Sequence, residues 1–222
     1  MIGGNLSATF NALRVLYDPS LCLPHLVVPT FAHLPVPLRF PGQKSDIKAV
    51  ILDKDNCFAE NNALEVYGPY KDKFEALRQA YPGNRLLVVS NSSGTLDDKD
   101  GKEMYVKTSI DHRHKHLDQA LQLSQGLSVP VLRHNVKKPG CIDEIIAHLR
   151  SCPDVDLQSP SEIAVVGDRL FTDVMMANMM GAWGVWIKDG VDVKYQSAFS
   201  GFERTLHGFL VKRGYQPPSP PL

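Results

Sequence analysis

The chain has no surplus of either charge: 24 basic and 24 acidic side chains leave a formal net charge of +0. Nucleic-acid-binding proteins carry a basic excess, so nucleic acid is not expected as a partner. Cysteine is scarce. Cys22, Cys57, Cys141 and Cys152 are scattered, with no Cys-x-x-Cys spacing. That excludes a zinc cluster or a disulfide framework and leaves reduced thiols as the reading. No apolar run reaches the ~20 residues a membrane-spanning helix requires, and no internal repeat is present. What is there, 222 residues of which 43% are hydrophobic and 22% charged, suffices for one well-cored soluble domain with terminal extensions.

Acidic residues are nearly missing from the first 45 positions, where Asp18 stands alone against Arg14, Arg39 and Lys44. Leu6, Phe10, Leu13, Val15, Leu16 and Tyr17 follow a roughly helical spacing. An acid-poor amphipathic start of this kind reads either as a targeting or membrane-contact segment, or as an arm packed on the domain. Pro24, Pro29, Pro35, Pro37 and Pro41 predict an extended path over 24–41 with little regular structure. Residues 1–45 are therefore set apart as an N-terminal arm, 46–214 as the folded domain, and 215–222 as a disordered proline-rich tail.

The domain alternates strand and helix. Apolar runs at 49–52, 86–89, 129–132, 163–166 and 183–187 predict five strands. Helices are expected from Pro69 to Ala80, near 112–124, from Pro139 to Leu149 and from Thr172 to Met180, with a polar loop over 96–109. Strands joined by helical crossovers pair in parallel, so the fold class is α/β, doubly wound, in three layers. In such a sheet ligands bind beyond the carboxyl ends of the strands, near the topological switch point.

Those ends hold the polar residues. Asp53-Lys54-Asp55-Asn56 follows the first predicted strand. Two carboxylates at ~4 Å repel by roughly 4 kcal/mol at an effective dielectric near 20, which a bound cation or a retained proton relieves. Alone, Asp-x-Asp at a turn is most often a cap. Ser90-Asn91-Ser92 follows the second strand, in a turn whose N–H groups suit a phosphate, though Ser-Asn is also an ordinary turn. Lys137-Lys138-Pro139-Gly140 opens a helix and can neutralise a phosphate; by itself it is a surface basic pair. Gly167-Asp168-Arg169-Leu170-Phe171-Thr172-Asp173 ends the fourth strand. Its acids are oxygen ligands of the kind magnesium takes, although Asp173 also suits a helix N-terminus. Four modest signals fall in the required places and in one order.

Taken together, Asp53-x-Asp55-Asn56, Ser90, Lys138-Pro139 and Gly167-Asp168-x-x-x-x-Asp173 resemble the four motifs of the haloacid dehalogenase superfamily, over about residues 47 to 190. The resemblance implies a magnesium-dependent phosphatase. Asp53 is then the nucleophile and Asp55 the general acid/base. Magnesium is held by Asp53, the backbone carbonyl of Asp55, and Asp168, with Asp173 assisting. Ser90 and Lys138 bind the phosphoryl oxygens, with Lys137 the other candidate. Asn56 stands where many members carry Thr, a difference expected to leave the chemistry untouched. Neither Asp55–Ser90 nor Ser90–Lys138 has room for a separate cap domain, so an open site is expected.

Three further stretches, Asp53-Lys54-Asp55-Asn56, Val131-Leu132-Arg133-His134 through Lys137-Lys138-Pro139-Gly140-Cys141, and Leu13 to Cys22, resemble the fungal mitochondrial phosphatidylglycerophosphate phosphatases. This implies a phospholipid substrate, phosphatidylglycerophosphate, converted to phosphatidylglycerol for cardiolipin synthesis. It also implies peripheral membrane contact at the matrix face of the mitochondrial inner membrane. The substrate's second phosphate needs a partner, for which Arg169, or Arg133 with His134, are candidates; Asn91 is a candidate beside the reacting phosphate. A phosphatase of the same fold acting on a sugar, nucleotide or protein phosphate is the alternative, and a non-catalytic membrane scaffold a third reading. His112, His114 and His116 do not share a helix face and read as a solvated charged stretch. Phe199, Phe202, Leu206, Phe209 and Leu210 form an amphipathic helix, read as core packing, with lipid contact or a homo-oligomer interface as the other readings.

Overall fold

Ala49–Leu52 (β2), Leu86–Val88 (β3), Ile163–Gly167 (β4) and Trp183–Ile187 (β5) are buried along their whole length. Runs without a polar face belong in a sheet covered by other elements on both of its faces. In this computed structural model, which describes residues 13–92, 120–191 and 198–221, they do lie there. With Leu26–Val28 (β1) they form one all-parallel sheet of five strands, in the order β1-β5-β4-β2-β3.

Alternate strand residues feed two cores. Val50, Leu52, Leu86 and Val88 pack with Phe74 and Leu77 of Lys71–Ala80 (α1) and with Leu123 and Leu127 of the helix over 120–127 (α2). Ala49, Ile51, Leu87 and Val89 pack with Ile145 and Leu149 of Ile142–Ser151 (α3) and with Met176 and Met180 of Met175–Met180 (α4). The architecture is thus three-layered α/β/α. A third cluster, Cys22, Leu23, Leu170, Val174, Trp186 and Leu210, fastens the final helix, Ala198–Lys212 (α5), and the N-terminal turns to the body.

Five strands are present, as expected, but not the same five. The run at 129–132 makes only an isolated parallel bridge, Val131 to Val88, in which Val88 N donates to Pro130 O at 3.0 Å and Leu132 N to Val88 O at 2.9 Å. Pro130 has no N–H to give, and the ladder stops. The arm supplies the missing strand. Leu26, Val27 and Val28 pair with Val185, Trp186 and Ile187 of β5, and Pro24 and Pro29 bracket the segment at a sheet edge, where prolines are tolerated. Phe31, Leu34 and Leu38 then enter the first core at 0%, 0% and 1% exposure, so residues 24–41 are part of the domain they were expected to adjoin.

Residues 215–221, expected to be disordered, lie against the body. His25 Nδ1 accepts from Gly184 N at 3.0 Å, which leaves Nε2 protonated to donate to Pro218 O at 2.9 Å. Pro217, Pro220, Pro221, His25 and Trp183 line a cleft of about 660 Å³ at the amino end of β5. Leu13–Leu16 is a short 3-10 turn. The rest of the expected N-terminal helix, the loop at 96–109 and the histidines at 112, 114 and 116 lie outside the described residues.

From β2 the chain moves to β3 on one side and returns through β4 on the other. The winding reverses at β2. Its carboxyl end, with that of β4, frames the crevice in which such sheets bind ligands.

Candidate active site

β2 and β4 pair in register, Leu52 opposite Val166, and Asp53 N donates to Val166 O at 2.9 Å. The residues just past both strands therefore meet. One carboxylate oxygen each from Asp53, Asp168 and Asp173 lies within 4.8 Å of the other two. Asp173 arrives there in an irregular wide turn, Leu170–Val174, that precedes α4. Gly167 makes the approach feasible, because a Cβ at that position would stand 2.3 Å from Asp173 Cγ.

Between two of these acids sits Lys138. Its Nζ donates to Asp53 Oδ1 and to Asp173 Oδ1, each at 2.6 Å, with the side chain 2% exposed. Burial opposes the ammonium, yet Asp173 and Asp53 hold its pKa above the ordinary lysine value. Asp53 is pushed up to about 8 by burial, with Asp173 and Asp168 adding to the shift. Asp168 is pushed to about 7 by burial and by Asp173. Fully ionised, three carboxylates against one ammonium carry two net negative charges, the amount a divalent cation balances. Hard oxygen donors in a buried cluster fit magnesium.

Asp55 points elsewhere. Its carboxylate is not one of the trio; it accepts from Ser92 Oγ and Lys54 Nζ, from Asn62 N at 2.8 Å and from Ser90 Oγ at 3.3 Å. Burial raises its pKa, but Lys54, Ser92 and Asn62 outweigh it and hold the carboxyl below the usual range. A cleft of about 300 Å³ opens over the group, lined among others by Asp53, Asp55, Asn91, Lys138, Asp168 and Arg169.

Several candidates have different surroundings from those expected. Asn91 Oδ1 accepts from Lys138 N at 2.8 Å, so besides facing the cleft it anchors the lysine's loop. Lys137 and Arg133 are not among the residues lining the cleft. His134 is turned inward at 1% exposure, with Nδ1 2.8 Å from Val136 O and Nε2 3.1 Å from Ser90 O. Aimed at two main-chain carbonyls, it has no nitrogen left for a substrate phosphate. It is a strut between the end of β3 and the segment leading to Lys138.

Four residues have roles at the site that their sequence context does not announce. Lys54 is fully buried beside Asp55, and Ser92 shares that carboxylate with Ser90. Asn56 sits at φ +56°, a conformation asparagine tolerates better than a β-branched residue. Its Nδ2 donates to Asp168 Oδ2 at 2.8 Å and its Oδ1 accepts from Val191 N at 3.1 Å, so the residue orients Asp168 instead of merely replacing a threonine. Glu203 reaches in from α5, accepts from Phe171 N at 3.2 Å and stands 3.6 Å from Arg169 Nε. The carboxylate-lysine alternation at 53–55 hinted at Lys54; nothing local pointed to Glu203, which lies 35 residues after Asp168 in sequence.

Residues 6–192 match the family model described as mitochondrial PGP phosphatase. Over 206 residues the chain is 45% identical to the mitochondrial phosphatidylglycerophosphatase of Saccharomyces cerevisiae, covering 93% of this chain and 98% of that one. A probable mitochondrial phosphatidylglycerophosphatase of Schizosaccharomyces pombe is 32% identical over 183 residues, 80% of this chain and 79% of its own. A chloroplastic phosphatidylglycerophosphate phosphatase 1 of Chlamydomonas reinhardtii is 33% identical over 175 residues, 77% of this chain and 54% of its own. No solved structure gives a significant match.

Proposed function

Because the chain belongs to the mitochondrial PGP phosphatase family, we propose that it removes the terminal phosphate of phosphatidylglycerophosphate, leaving phosphatidylglycerol, at the matrix face of the mitochondrial inner membrane. The observation that carries the chemistry is the convergence of Asp53, Asp168 and Asp173 around the Lys138 ammonium at the switch-point end of the sheet. Asp53, Asp168 and Asp173 would hold magnesium, whose charge would keep Asp53 ionised and offset that of the phosphoryl oxygens.

The protein's own groups account for the two half-reactions. Asp53 attacks phosphorus through a carboxylate oxygen while Lys138 reduces the repulsion between two anions. The bond from phosphorus to the glycerol oxygen breaks, and Asp55 supplies that oxygen with a proton, leaving an aspartyl-phosphate. Asp55 then takes a proton from water, which attacks the same phosphorus; the bond to Asp53 breaks and inorganic phosphate departs. The Lys54, Ser92 and Asn62 contacts lower the Asp55 pKa and so favour its work as a base. The same contacts make protonation of the leaving group the more demanding half.

The lipid reading is supported by a cleft that is open among the described residues. Among the described residues, the stretch from Asp55 to Ser90 holds only turns, α1 and β3. A substrate can keep its bulk outside while its headgroup enters. The test measures phosphate release from phosphatidylglycerophosphate by native protein and by Asp53→Asn, with magnesium and with chelator. Release confined to the native protein with magnesium is expected. Turnover of soluble phosphomonoesters only would overturn the lipid assignment, and an active Asp53→Asn protein would overturn the nucleophile.

A further inference from the structure

Among the described residues, α5 leaves an apolar flank uncovered beside the mouth of the cleft. Phe199, Phe202 and Phe209 are 63%, 57% and 49% exposed, while Glu203 and Leu210 of the same helix are buried against the body. The first turn of α5 is also the rim of the site, since Ser200 lines the cleft together with Arg169. Two contacts splice rim and flank. The Arg169 guanidinium stands over the Phe199 ring, 6.0 Å from its centroid, and Phe171 stacks on Phe202 with centroids 6.1 Å apart. The N-terminal turn adjoins the helix, because Val15 and Leu206 pack on one cluster. That turn leaves Leu16 and Tyr17 78% and 92% exposed.

Charge selects the occupant. The one acid of α5, Glu203, faces inward at 0% exposure. The charged residues exposed at the far end of the helix, Lys212 and Arg213, are both cationic, and Arg213 lies over the Phe209 ring at 4.4 Å. Aromatic side chains with cations beside them suit an anionic bilayer, where rings enter the headgroup boundary and cations meet lipid phosphates. A second copy of the same flank would set cation against cation.

We propose that the Phe199–Phe202–Phe209 flank of α5 is a docking surface for an anionic phospholipid bilayer, seated so that the cleft opens toward the lipid headgroups. The proposal rests on the lipid reading given above and deepens it. A lipid whose terminal phosphate reaches Asp53 would place its inner phosphate nearer Arg169, and its acyl chains would leave past Phe199 and Phe202 without quitting the membrane.

The test co-sediments the full chain with vesicles of phosphatidylcholine alone and of phosphatidylcholine with one third phosphatidylglycerol. It compares native protein with Phe202→Ser/Phe209→Ser and with Lys212→Glu/Arg213→Glu, whose folding is checked by thermal unfolding. Both double variants are expected to lower the bound-to-free ratio on anionic vesicles by roughly tenfold or more. Hydrolysis of a short-chain soluble substrate analogue by the charge-reversed protein should stay within twofold of native, and only that protein should lose its salt sensitivity in vesicle binding. Unchanged binding to anionic vesicles would overturn the docking surface, including the case in which the phenylalanine variant instead dissociates an oligomer and so marks a contact between copies. Vesicle binding by native protein that releases no phosphate from phosphatidylglycerophosphate would refute the substrate assignment while leaving the docking surface in place.

Discussion

Lys138 Nζ lies 2.6 Å from Asp173 Oδ1, the same distance it keeps from Asp53 Oδ1. One ammonium thus holds two of the three clustered acids, and the proposed nucleophile is positioned through a residue 85 positions away. Lys138→Met removes both bonds at once. Its kcat is expected to fall by about 10³-fold, within the range for loss of one preorganised charge. Steady-state kinetics with saturating magnesium measures this, and a loss below tenfold would mean that the lysine does not carry charge stabilisation.

Gly167→Ala tests the close approach of Asp173. The added methyl would stand 2.3 Å from Asp173 Cγ, so the turn after β4 must shift and carry Asp168 with it. A destabilisation of about 1–3 kcal/mol is expected from the overpacking, with kcat reduced by more than it would be in Gly208→Ala, where a Cβ meets nothing within 4 Å. Denaturant unfolding and phosphate release together separate the two effects.

Glu203 gives a pH dependence of known sign. Burial raises its pKa from 4.5 to about 7, against the opposing influence of Arg169. Between those two values the folded chain keeps a proton that the unfolded chain has lost, so stability falls as pH rises from about 4.5 to 7 and levels off above. The isosteric Glu203→Gln keeps an acceptor for Phe171 N–H and removes the titration. Relative to native protein its melting temperature should rise progressively across that window, by an amount worth up to about 3 kcal/mol. A constant difference from pH 4.5 to 8 would show that Glu203 does not titrate there.

His25 behaves oppositely. Burial lowers its pKa, and its neutral form holds both Gly184 N–H and Pro218 O. The stability it contributes is present above the unfolded value of 6.5 and is lost as pH falls through the lower folded pKa. Removing residues 216–222, or His25→Ala, should cost about 1–2 kcal/mol at pH 7.5. The two changes together should cost less than their sum, as measured by a double-mutant cycle.

His134→Ala removes the ring between the Ser90 and Val136 carbonyls, one of which accepts the single N–H of the neutral imidazole. A loss of about 1–3 kcal/mol is expected from the lost hydrogen bond and the space left behind. A fall in kcat should accompany it, because the strut supports both Ser90 and the segment before Lys138. Arg133→Ala, at an exposed residue outside the cleft lining, should leave kcat and stability near native. A His134 variant with native kinetics would show that Ser90 and Lys138 hold their places without it.

The central strands and the acids at their ends were legible because each depends on local pattern. Ala49–Leu52 and Ile163–Gly167 are fully buried runs, and such runs read as interior strands whatever surrounds them. Asp53 and Asp168 follow them directly. The 129–132 run departs from its strand-like composition for a local reason as well: Pro130 removes a donor and reduces the run to a bridge. Leu26–Val28 was hidden by its prolines, which disfavour a strand in general but are compatible with a three-residue edge.

Local pattern is enough to set the alternation of strand and helix, and with it a parallel sheet whose carboxyl ends carry Asp53, Ser90 and Asp168. Short-range chemistry was enough for that, since hydrophobic periodicity and turn residues act within a few positions of one another. Long-range packing is what brings the arm into the sheet, turns His134 inward and sets Glu203 behind Arg169. The same packing leaves Phe202 exposed beside the cleft among the described residues. These outcomes depend on which distant surfaces meet, and burial, not local preference, sets the environment of each such side chain.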